Sequence, residues 1–138
     1  MNASGVVKRF LELFGSRARA TYRDGRVACA VIGRRRYLEC AVNRRGTVRL
    51  RVGIVYDPPD AELIVTARGR VCDIDGDRHW CAMLVWVYES VCGTSRAFAS
   101  DSDVNALRGG AWNAETVLAL LDGTTAYPPA ESPNPRGG

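Results

Sequence analysis

Hydrophobic side chains recur along this chain with two different periods. Val7, Phe10, Leu11 and Phe14 fall at i, i+3, i+4 and i+7, behind Ser4 as an N-cap and ahead of Gly15 as a stop. That spacing predicts a short amphipathic helix over residues 5–14, its apolar stripe laid on a sheet. From Arg26 onward the period is two. Arg26–Ile32 is rich in Val and Ile and ends at Gly33. In Tyr37–Asn43, Leu38, Cys40 and Val42 alternate with Tyr37, Glu39 and Ala41. In Thr47–Tyr56, Val48, Leu50, Val52 and Ile54 alternate with Thr47, Arg49, Arg51 and Gly53. One apolar face per segment is the pattern of half-buried antiparallel strands. Gly33–Arg36 and Asn43–Gly46 have hairpin length. Asp57-Pro58-Pro59-Asp60 interrupts the run, because proline cannot donate into a ladder, and Glu62–Ala67 resumes it.

Val71–Ile74, Asp75-Gly76 and Asp77–Tyr88 are expected to form a further hairpin, since Asp-Gly favours a type I′ turn. The aliphatic and aromatic run Trp80–Tyr88 then forms its return strand. Near the C-terminus, Trp112–Leu121 predicts a helix N-capped by Asn113 and ended by Gly123. The sum is an α+β domain over residues 1–123. It comprises an antiparallel sheet of about five to six strands with one N-terminal and one C-terminal helix. Residues 124–138 hold four of the six prolines and are expected to form a flexible tail.

Composition narrows the class. A chain of 138 residues supports one domain, and 46 % hydrophobic residues argue against wholesale disorder. No apolar run approaches the ~18–20 residues of a membrane span, and Lys8 and Arg9 interrupt any signal-peptide core. A soluble intracellular protein without a membrane partner is therefore expected. Five cysteines are too few and too odd in number for a disulfide framework, leaving thiols or metal ligands. Arg supplies all the basic residues except Lys8, and Gln is absent. This bias fits a GC-rich genome, a hyperthermophile or a virus.

Charge changes the picture more. The net charge is +4, yet residues 1–71 carry 15 basic and 6 acidic groups while residues 72–138 carry 4 and 9. Arg34, Arg35, Arg36, Arg44 and Arg45 fall in two expected hairpin loops, at opposite ends of the intervening strand. Arg49 and Arg51 share the polar side of another strand. Guanidinium groups match phosphate oxygens and stack on bases. Tyr37 beside Arg36, and Tyr22 beside Arg23, add aromatic surface of the kind single-stranded RNA uses. The first expectation is a small, basic, non-enzymatic accessory protein that binds nucleic acid, RNA rather than DNA. The alternative is an interaction module or homo-oligomer in which the basic half meets the acidic half. Charge carries the first alone, because no RNP aromatic motif, KH glycine loop or helix-turn-helix pattern is present.

Cys72, His79, Cys81 and Cys92 form a second constellation. If Asp75-Gly76 closes a hairpin, Cys72 faces His79, Cys81 lies on the same side, and Cys92 returns from the next loop. Three cysteines and one histidine are a known structural zinc set, although the spacing lacks a C-x2-C knuckle. The competing reading makes the cysteines small buried apolar residues. A Cys29–Cys40 disulfide between neighbouring strands is a further option. No hydrolase, metalloprotease, P-loop or dinucleotide signature occurs.

One resemblance follows from particular residues. Gly46-x-Val48-x-Leu50-x-Val52-x-Ile54, Tyr56-x-Pro58-Pro59 and Gly69-x-Val71-Cys72-x7-Trp80 resemble the strand, Tyr/Pro and active-cysteine segments of ubiquitin-conjugating domains. The match covers roughly a quarter of the chain and lacks the family's His-Pro-Asn motif. It implies Cys72 at the thioester position and a helix following Trp80.

Overall fold

The computed structural model describes residues 3–93 and 96–125. Helix α1 (Ala3–Phe14) buries Val6, Val7, Phe10 and Phe14, the stripe its spacing predicts. A short 3-10 turn, Gly15–Arg17, leads into a six-stranded antiparallel meander: β1 (Ala18–Arg23), β2 (Arg26–Ile32), β3 (Tyr37–Val42), β4 (Val48–Gly53), β5 (Ala61–Val65) and β6 (Val71–Gly76). The register sorts the side chains into two faces. Cys29, Cys40, Leu50, Leu63 and Ile74 align across the strands on one face. Ala28, Ala41, Arg49, Ile64 and Asp73 align on the other. The first face is the core, with Cys29, Cys40 and Leu63 fully buried.

The chain holds two Asp-Gly pairs near strand ends, and their outcomes differ. Asp24 (φ 52°) and Gly25 (φ 75°) are both left-handed between the paired residues Arg23 and Arg26. That is a type I′ hairpin. It creates β1, a strand absent from the sequence expectation. Asp75-Gly76 is no turn: both residues belong to β6, and Gly76 pairs with Ala61. Asp77 then starts a helix, its side chain accepting hydrogen bonds from the His79 and Trp80 backbone N–H groups.

The expected return strand Asp77–Tyr88 is therefore corrected to helix α2 (Arg78–Cys92). Cys81, Leu84, Val85 and Tyr88 are buried at i, i+3, i+4 and i+7, and Met83, Val87 and Val91 widen the buried arc. Valines in a helix cost only tenths of a kcal/mol each, whereas each buried large apolar side chain contributes about 1.5–3 kcal/mol. Burial decides, and 15 residues exceed an ordinary strand. The ubiquitin-conjugating resemblance implies a helix following Trp80, whereas α2 begins at Arg78 and holds Trp80 in its first turn.

The sheet thus has six strands, but one unforeseen strand replaces one that became a helix. The expectation of only two helices is corrected as well. Besides α2, short helices α3 (Arg96–Ser100) and α4 (Ser102–Asn105) precede α5 (Ala114–Asp122). In α3, Phe98 is buried with its ring 4.9 Å from that of Tyr88. The C-terminal helix forms as predicted, with Asn113 accepting from Thr116 N–H at 2.8 Å and Gly123 left-handed at its end.

Helix α1 packs on β1 and β2, and α2 packs on β4, β5, β6 and α1. Both cover the core face. On the opposite face Thr21, Ala28, Ala30, Ala41, Arg49, Arg51, Glu62 and Ile64 all retain solvent exposure. Among the described residues no helix is long and apolar enough to cross a membrane. Of the expected tail, residues 126–138 lie outside the described residues.

Candidate nucleic-acid interface

A meander places successive connections at alternate ends of its sheet. The β2–β3 and β4–β5 connections lie at one end, and the β1–β2, β3–β4 and β5–β6 connections at the other. As expected, this separates Arg34–Arg36 from Arg44 and Arg45. It also separates Arg17 and Arg36, which carboxylates occupy, from a group of arginines at the other end that none does. Arg34 and Arg35, at the first end, use their backbone N–H groups and form no side-chain ion pair among the described residues.

At the first end Arg36 Nε donates to Asp60 at 2.9 Å, and its guanidinium lies 4.7 Å from the Trp80 ring centroid. Both terminal N–H groups of Arg17 donate to the Asp122 carboxylate, at 2.8 and 3.1 Å. These hydrogen bonds hold the Asp122 carboxyl below its usual range. The Arg34 backbone N–H donates to the same carboxylate. The Arg35 N–H donates to Leu121 O, while its side-chain stem crowds Gly123. These arginines dock α5 and the β4–β5 connection onto the sheet. Tyr37 also lies here, its hydroxyl near Gly53. In mid-sheet, Arg51 pairs with Glu62 directly across the β4–β5 ladder. Arg36 and Arg51 are thus neutralised within the fold.

The other end gathers Arg23, Arg26, Arg44, Arg45, Arg49, Arg68 and Arg70. Among the described residues the ion pairs are Arg17–Asp122, Arg36–Asp60, Arg51–Glu62 and Arg108–Glu89, so none involves this group. Arg44 Nε donates only to the backbone oxygen of Asp24. Of the arginines expected to hold phosphate, Arg44, Arg45 and Arg49 belong to this free set. Arg23, Arg26, Arg68 and Arg70 join them. The sequence signal for the last two was their place in a third connection at the same end. Tyr22, 66 % exposed, is near this end, but the strand alternation sets it on the face opposite Arg23.

On the open face beside this end lies a hollow of about 700 Å³. Thr21, Ala28, Ala41, Arg49 and Ile64 form one row across five strands, and Arg23, Arg26, Asn43 and Thr47, with Val27 and Val42, complete the lining. The two alanines lower the floor between longer neighbours. Arg49 Nε is shielded from solvent there and meets no acceptor. An unsatisfied buried donor costs roughly 1–3 kcal/mol. Asn43 Oδ1 already accepts from the N–H groups of Arg45 and Thr47, which leaves its amide hydrogens as donors. No carboxylate lines the hollow.

The Cys/His constellation is not assembled. Its premise was the hairpin that α2 replaces. Cys72 lies on edge strand β6, while His79 and Cys81 lie in the first turn of α2. Cys92 is at the far end of the same helix, eleven residues from Cys81 and so roughly 16 Å along the axis. Among the described residues no three His, Cys, Asp or Glu side chains are placed to share an ion. Cys29 and Cys40 are cross-strand neighbours as free thiols. Burial pushes the thiols of Cys29, Cys81 and Cys92 up to about 11. For Cys81 the carboxylates of Asp77, Asp75 and Asp73 add to that effect. Burial also raises the Cys40 thiol well above its ordinary value.

Cys72 alone among the five is exposed, at the irregularity where β5 and β6 shift register. A thiol reagent should therefore label the native protein first at Cys72. Cys29, Cys40 and Cys81 should react only after denaturant is added, because the thiolate is the reactive form. Mass spectrometry of the early adduct checks this; early labelling of Cys40 would contradict the packing.

No protein-family model, curated protein sequence or solved structure matches this chain.

Proposed function

We propose that this protein binds nucleic acid, single-stranded RNA in preference to duplex DNA, through the sheet end that bears the free arginines. One observation carries the reading. Carboxylates pair with Arg17 and Arg36 at one end and with Arg51 in mid-sheet, whereas among the described residues Arg23, Arg26, Arg44, Arg45, Arg49, Arg68 and Arg70 at the other end have none. Unpaired guanidinium groups concentrated on three adjacent connections create a local positive field despite a net charge of only +4. They suit phosphate oxygens spaced along a flexible strand. The broad, open face beside them admits splayed nucleotides, which a duplex does not present.

The experiment is a fluorescence-anisotropy titration of a labelled 12-nucleotide RNA at several salt concentrations. With about five to seven phosphates neutralised, log K against log salt should slope near −4, since each contact contributes about −0.7 on a single strand. Binding indifferent to salt, or none at low ionic strength, would overturn the proposal.

A specific observation favours a second reading. Asp73 and Asp75 lie on β6, the edge opposite basic β1, and among the described residues neither is in an ion pair. The basic and acidic edges of two copies are complementary in charge. Assembly in the absence of nucleic acid that dissolves at high salt, seen by light scattering, would favour that reading.

A further inference from the structure

We infer that the hollow on the open sheet face is a nucleoside-phosphate site: phosphate on Arg49 with Arg23 and Arg26, and the sugar and base against Ala28, Ala41 and Ile64. For a nucleotide unit within a strand this rests on the reading above. For a free nucleotide it rests on the hollow alone.

Three features point to this ligand. First, the lining is one-sided. Its polar lining residues are Arg23, Arg26, Arg49, Asn43, Thr21 and Thr47, with no carboxylate among them, and the rest of the lining is apolar. Such a set selects an anion. Second, Arg49 has an unmet requirement. Its strand neighbour on the same face, Arg51, is matched by Glu62, yet the partner across from Arg49 on β5 is Ile64. Arg49 Nε is withdrawn from water without an acceptor. Its terminal nitrogens, too, form no ion pair among the described residues, and it is these that a phosphate oxygen in the hollow would engage. Third, the size is informative. About 700 Å³ lies within the ~300–1,000 Å³ range of small-ligand cavities and far exceeds what a bare phosphate fills. Ala28 and Ala41, paired across β2 and β3, let a flat body approach the sheet closely, with Ile64 as an apolar wall.

The test uses the full chain with two probes, adenosine 5′-monophosphate and a labelled 12-nucleotide RNA, and adenosine as the control lacking phosphate. Two variants disturb the hollow differently: Arg49→Met removes the guanidinium but keeps the stem, and Ala41→Leu fills the floor. Adenosine 5′-monophosphate, but not adenosine, should perturb NMR signals of Ala28, Ala41 and Ile64. Each variant should weaken both phosphate probes at least tenfold. Arg49→Met should leave the melting temperature unchanged or higher, because it deletes an unsatisfied donor. A purely structural arginine would instead lower it. RNA binding that both variants leave unchanged overturns this inference while the broader nucleic-acid reading stands. Binding of the mononucleotide without any RNA binding keeps the site and overturns the broader reading. Failure of both probes to bind overturns both.

Discussion

Replacing Arg44, Arg45, Arg68 and Arg70 together by serine should weaken single-stranded RNA binding roughly 10²- to 10³-fold at 0.1 M salt. Four lost phosphate contacts, each releasing about 0.7 counterions, should also flatten the salt slope by about 3. The size of the effect comes from location. These side chains lie in the β3–β4 and β5–β6 connections, are exposed, and form no ion pair among the described residues. Their removal should therefore leave folding nearly intact, as most surface substitutions do. The paired end provides the contrast. Arg17→Ser and Arg36→Ser should barely change the salt slope, because Asp122 and Asp60 already neutralise those guanidinium groups. Their cost appears in stability instead, at up to about 1 kcal/mol each for such partly exposed pairs. Anisotropy titrations at four salt concentrations, beside urea melts, separate the two classes. Equal losses of affinity from both ends would contradict the assignment of the interface.

The largest stability effect is expected at Gly76. Gly76→Asn should cost about 3–5 kcal/mol, whereas Gly25→Asn should cost less than about 1 kcal/mol. Both glycines follow an aspartate and both have positive φ, at 111° and 75°. Asparagine tolerates the left-handed geometry of a type I′ turn, and the nearest atoms to a Cβ at Gly25 belong to the flexible Arg44 side chain. At Gly76 a Cβ would lie 2.2 Å from Asp60 O and 2.6 Å from Ala61 Cα. The end of β6 is pressed against the start of β5, and neither backbone can yield without breaking the Asp77 N–H to Asp60 O hydrogen bond that leads into α2. Urea midpoints of the two variants test this. If Asp75-Gly76 closed a hairpin, the two substitutions would be nearly equal. Against a typical total of about 5–15 kcal/mol, the Gly76 variant is close to unfolding at 37 °C.

The two Asp-Gly pairs show why part of this fold could be read in advance and part could not. Strand alternation over residues 26–53 was plain, because one face is buried and the other is not. The terminal helices were equally plain from Phe10, Phe14, Asn113 and Gly123. Trp80–Tyr88 was ambiguous, since a run buried on most sides shows neither period clearly. Its length and the capping Asp77 were the available clues. β1 was hidden by its arginines: Ala18–Arg23 is an edge strand with little apolar alternation, betrayed only by Asp24-Gly25.

The candidate site divides in the same way. The sequence alone determined the arginine excess of the first half, the paired hairpin loops at opposite strand ends, and the polar face bearing Arg49 and Arg51. Which arginines remain available was decided by the tertiary structure. Asp60, Glu62 and Asp122 lie between 11 and 105 residues from the arginines they neutralise. Pairing over such separations depends on which strands become neighbours and where α5 docks, and no local pattern encodes that. The hollow is likewise tertiary, since Ala28, Ala41 and Arg49 line up only once the register is set. The Cys/His cluster failed for the converse reason. Cys72, His79, Cys81 and Cys92 are close in sequence, but a helix carries Cys81 and Cys92 apart where a hairpin would have gathered the set.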